Sequence, residues 1–103
     1  MNNKKYQIKC FAQKGMFEDE FIVTINTVNE EGEDVESSAF INKDELELTS
    51  FPEGDNVVDG LLDVSVMGIE QDKVSVVLPK PTFANGPVVW VKKQLLTFKT
   101  VTT

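Results

Sequence analysis

KYQIKCFA, residues 5–12, is the stretch that decides the fold class. Tyr6, Ile8, Cys10 and Ala12 fall on one side of an extended chain, with Lys5, Gln7 and Lys9 on the other. That period of two is what a strand with one buried face requires. The pattern continues outward. In residues 20–28 (EFIVTINTV), Phe21, Val23 and Ile25 alternate against Thr24 and Asn26, and β-branched residues suit a pleated surface. In residues 35–41, Val35, Ser37, Ala39 and Ile41 share a face. Gln13-Lys14-Gly15 reads as a turn, and residues 29–34 (NEEGED) have the Asn and Gly of a hairpin loop.

Beyond Ile41, residues 42–46 (NKDEL) leave room for one helical turn near Asn42–Glu45, capped by Asn or Asp. Residues 50–59 (SFPEGDNVVD) form a loop. Residues 61–67 and 73–78 are strands split by a turn over 68–72. Residues 79–87 (PKPTFANGP) are irregular, with Asn85-Gly86 as a turn signal. Strands over 88–91 and 95–101 finish the chain, with a second helical turn near 92–94. No segment carries a long apolar stripe of period 3.6.

The expected fold is therefore all-β. It is a small barrel or sandwich of six to eight short, mainly antiparallel strands, and its 103 residues form a single domain. Residues 39–48 (AFINKDELEL) also align with residues 89–98 (VWVKKQLLTF) at an offset of 50, matching Phe40 to Trp90, Lys43 to Lys93 and Leu46 to Leu96. The alignment points to two pseudo-repeated, three-stranded halves over 4–49 and 60–101, neither able to bury its apolar face alone.

Composition excludes much chemistry. There is no histidine, no arginine and one cysteine, Cys10. Triads, Cys-His pairs, His-ligated zinc, intramolecular disulfides and multi-cysteine metal sites are all ruled out. No glycine-rich phosphate loop is present. Cys10, on the inward side with Tyr6 and Ile8, reads as a small apolar filler. No catalytic residue, metal ligand or cofactor site is assigned. No apolar stretch reaches the length of a membrane-spanning helix, residues 1–11 do not read as the apolar segment of a signal peptide, and the expected location is the cytoplasm.

The net charge of −7 hides a gradient. Residues 1–15 hold four lysines and no acid; residues 16–63 hold fifteen acids against Lys43; residues 64–103 hold five lysines against Glu70 and Asp72. Glu30, Glu31, Glu33, Asp34 and Glu36 form the densest acidic run. Their spacing does not fit a calcium loop. They read as a partner-binding surface, or as solvated charge that guards a strand edge. Phe83, in an uncharged loop between Pro81 and Gly86, is either an anchor for a partner or a plug for one end of a barrel, with the plug favoured. If the first and last strands pair, Lys5, Lys9, Lys92, Lys93 and Lys99 make a basic patch near Phe11 and Trp90. The lack of arginine and the acidic total disfavour nucleic acid, and Trp90 reads as core.

The leading expectation is a non-catalytic binding module that contacts an unidentified protein through its acidic surface. The alternatives are carboxylate-based metal binding or catalysis, and single-stranded nucleic-acid binding by the terminal lysines. The chain is expected to be a monomer or an edge-strand dimer.

Overall fold

A computed structural model describes residues 2–84 and 86–102, with side chains over 6–84 and 86–98. Asn85, half of the expected Asn85-Gly86 turn, lies outside the described residues. The alternating segments form eight strands: β1 (Asn2–Lys14), β2 (Glu20–Val28), β3 (Asp34–Asn42), β4 (Leu46–Leu48), β5 (Val58–Glu70), β6 (Lys73–Val77), β7 (Val88–Lys92) and β8 (Leu96–Thr102). All the pairings are antiparallel, and the strands make one curled sheet, a half-barrel, ordered β3-β2-β1-β5-β6-β7. β4 adds to β5 and β8 adds to β1. The small all-β fold expected from alternation is the one observed.

Several boundaries differ. The turn expected at Gln13-Lys14-Gly15 falls later, over residues 15–19, because Gln13 and Lys14 stay in β1, paired with Ile22 and Phe21. β5 begins at Val58, inside the loop expected over 50–59. The turn expected over 68–72 shrinks to Gln71-Asp72, because β5 runs on through Gly68 to a pair between Glu70 and Lys73. A register shift between Val66 and Gly68 absorbs the break in alternation there. The three residues Leu46–Leu48 also form a strand that the sequence pattern is too short to reveal. The two helical turns are present as 3-10 turns, Lys43–Glu45 and Lys93–Leu95, but the expected cap is not made: Asn42 sits at the N-cap position without a side-chain bond to the turn.

Both halves run in the same order: long strand, two further strands, 3-10 turn, final strand. Each final strand leaves its own half and pairs with the long strand of the other, setting Leu46 opposite Leu62 and Leu96 opposite Ile8. Ile8 and Leu62 are themselves partners in the β1–β5 pairing. The Lys43 amide donates to the Asp19 carbonyl at 2.9 Å, and the Lys93 amide donates to the Asp72 carbonyl at the same distance.

Alternation also fixes the core. Ile8, Cys10 and Ala12 of β1, Phe21, Val23 and Ile25 of β2, Ala39 and Ile41 of β3 and Leu62 of β5 are buried together with Val74, Val76, Leu78, Val89 and Val91. Trp90, expected in the core, is half-buried on the opposite face, because the inward positions of β7 belong to Val89 and Val91. The core pulls in the one free thiol as well. Burial, helped by the neighbouring Asp59 carboxylate, pushes the Cys10 thiol up from 9.0 to about 12. A thiol held neutral in this way is a poor nucleophile.

Candidate functional site

The acidic run is the tightly organised β2–β3 turn, and Asn29 is its organiser. Asn29 Oδ1 accepts the amides of Glu31 at 3.0 Å and Glu33 at 2.9 Å. Its backbone amide donates to the Glu33 carbonyl at 2.9 Å, and its carbonyl accepts from Gly32 at 3.0 Å. Gly32 supplies the left-handed residue the turn needs, at φ +80. With the backbone satisfied by one asparagine, the side chains of Glu30, Glu31, Glu33 and Asp34 are all left exposed.

A second acidic turn stands beside the first. Val28 and Gly32 from one turn and Glu70, Gln71 and Asp72 from the β5–β6 turn line a single cleft of about 260 Å³. Lys73 and Lys92 complete its walls, and the Lys92 ammonium meets the Asp34 carboxylate at 3.1 Å. Fifty-eight positions apart in the chain, these two residues tie β7 to the acidic end. Sequence reasoning missed Glu70 and Asp72 here. They fall in the segment with net positive charge, and only the curl of the sheet brings their turn to the other.

Next to this cleft lies a larger one of about 630 Å³, bounded by Val35 and Ser37 of β3 and by Val88, Val89 and Trp90 of β7. Its floor is polar but satisfied. Thr27 is buried, and its hydroxyl lies 3.0 Å from the Ser37 hydroxyl and donates to the Val35 carbonyl at 3.1 Å. Glu30 and Glu70 stand at its rim. The Lys73 ammonium sits 5.0 Å from the centroid of the Trp90 ring, a cation on an aromatic face.

The other candidate residues disperse. Glu36, on the outer face of β3, lines a separate cleft with Phe11 and Ile22. Phe83 is no plug. It is 57 % exposed and packs against Phe40 in a tilted arrangement, with ring centroids 4.8 Å apart. Its amide donates to the Ser38 carbonyl at 2.8 Å, laying the loop along the β3 edge, while the buried residue of that loop is Thr82. The terminal strands do pair, with Lys5 opposite Lys99, but the side chains of those two residues lie outside the described set. Lys92 is drawn away to Asp34, Lys9 lines a further cleft with Leu95 and Phe11, and Lys93 is exposed on its 3-10 turn. Phe11 and Trp90, paired in the basic-patch reading, line different clefts. Among the described residues no group of three or more cysteines and carboxylates is placed to hold a metal ion, and no helix is long and apolar enough to cross a membrane. The chain matches no family model, no curated protein and no solved structure.

Proposed function

We propose that this chain is a non-catalytic binding module whose acidic end contacts a basic protein partner. The observation that carries the reading is the meeting of two acidic turns. Gly32 of the first, flanked by Glu31 and Glu33, lines one cleft with Glu70 and Asp72 of the second and with Lys73 and Lys92, and Glu30 and Glu70 line the neighbouring one. Such a cluster raises the local concentration of a positively charged partner and speeds encounter, more at low salt than at high. Its stiff turn, held by Asn29, presents the charges at little entropic cost on binding. A cytoplasmic location belongs to the same reading, supported by a free and buried cysteine. Descent of the halves 4–49 and 60–101 from one repeated unit belongs to it too, supported by their matching pairings about Ile8 and Leu62.

The test compares partners retained by the immobilised wild-type chain with those retained by the E30Q/E31Q/E33Q variant, at low and at physiological salt. Loss of a salt-sensitive partner on the variant supports the reading. An identical partner set on both overturns it.

A further inference from the structure

We propose, on the basis of the acidic-end reading above, that the cavity between β3 and β7 receives the cationic head of an arginine or lysine side chain from an extended basic segment of a protein partner. Four observations carry this. First, Trp90 has no place in the core, since Val89 and Val91 take the inward positions beside it. Its ring instead forms a wall of the cavity. Second, that ring already attracts a cation, the Lys73 ammonium 5.0 Å from its centroid. Lys73 is a stand-in supplied by the chain itself, and an incoming guanidinium, flatter and less strongly hydrated, stacks better on indole.

Third, Glu30 and Glu70 reach the same rim from two different turns, so the opening carries negative charge over an apolar and aromatic wall. Fourth, β3 and β7 are the two ends of the sheet order. The Phe83 amide already occupies the β3 edge at Ser38, so an extended peptide adds by backbone hydrogen bonds at the β7 edge while a side chain enters the gap. Charge decides against a second copy of this chain as occupant, because a protein of net charge −7 repels itself at its most acidic end.

Trp90 is the one tryptophan of the chain, so its emission reports on the cavity alone. The full chain is titrated with an acetylated, amidated hexapeptide of alternating arginine and glycine. Lysine–glycine and glutamate–glycine hexapeptides and free arginine serve as parallel arms. The expected result is a saturable change in Trp90 emission with the arginine and lysine peptides and none with the glutamate peptide. Binding should weaken roughly tenfold in E30Q/E70Q, both exposed positions, and tighten about threefold in K73M, which vacates the ring.

Calorimetric binding of the arginine peptide with unchanged Trp90 emission and unchanged affinity in E30Q/E70Q would overturn the cavity assignment and leave the acidic-end reading standing. Absence of binding by either cationic peptide at low salt would remove both. An equal response to free arginine would replace the protein segment by a small cation. Trp90 emission that shifts with the chain's own concentration, together with a dimer in sedimentation, would replace it by a second copy.

Discussion

Two single residues set local chemistry in this molecule. Cys10 is buried and holds its proton far above the ordinary thiol range. Its folded-state proton affinity exceeds the unfolded one, so the residue leaves stability unchanged below pH 9.0 and withdraws it as pH climbs towards about 12. Urea midpoints between pH 8 and pH 11 should therefore fall more steeply for wild type than for Cys10→Ala, by about 1.4 kcal/mol per pH unit at most. A thiol reagent should label the native chain only at the rate of unfolding. Gly60 acts by absence. A Cβ there would meet the Glu47 carbonyl oxygen and Leu48 Cδ2 at 3.0 Å and Cys10 Sγ at 3.4 Å. Gly60→Ala should cost about 1–3 kcal/mol in chemical denaturation, because β4 and β1 both crowd that point. The inward place of Cys10 was legible from alternation in residues 5–12. The crowding at Gly60 was not, because it depends on a three-residue strand with no pattern of its own.

At the scale of elements, the β2–β3 turn carries the densest acidic run, and Asn29 decides its shape through two bonds to Oδ1. Asn29→Ala should lower stability by about 1 kcal/mol and broaden the amide resonances of residues 30–33, with those of β6 unaffected. Resonances that stay sharp would show that Gly32 and the strand register hold the turn unaided. The sequence made this turn readable, since Asn and Gly bracket a run of acids between two alternating segments. The site around it was half readable. Glu30, Glu31, Glu33 and Asp34 declared themselves by density, whereas Glu70, Asp72, Lys73 and Trp90 joined them only through the curl that brings the β5–β6 turn and β7 to the same end. Trp90 misled for a local reason. A tryptophan in Val-Val-Trp-Val looks apolar on all sides, and a shift of one position in register moves a side chain to the opposite face.

At the scale of the whole molecule, the charge pattern along the chain does not map onto space as segment totals imply. The terminal strands do bring Lys5 opposite Lys99, while Lys92 crosses to the acidic end and Lys73 covers Trp90. Residues 39–48 and 89–98, aligned at an offset of 50, each contain a 3-10 turn between two strands. Strand order, two 3-10 turns and two equivalent amide-to-carbonyl bonds at Lys43 and Lys93 follow the same plan, most of it written in backbone pairing, which constrains side chains too weakly to show in a sequence. The exchange of β4 and β8 between the halves has a further consequence. β4 completes β5 and β8 completes β1, as in an interlocked dimer whose two chains happen to be covalently joined. Cleavage in the exposed stretch 53–56 should thus yield two fragments that are each disordered by circular dichroism, and that regain the strand signal only when mixed in equal amounts. A fragment that folded by itself would show that the exchanged strands are ornaments on an independent half. Reassembly instead would make this chain a natural split reporter, able to regenerate the Trp90 cavity only when its two pieces meet.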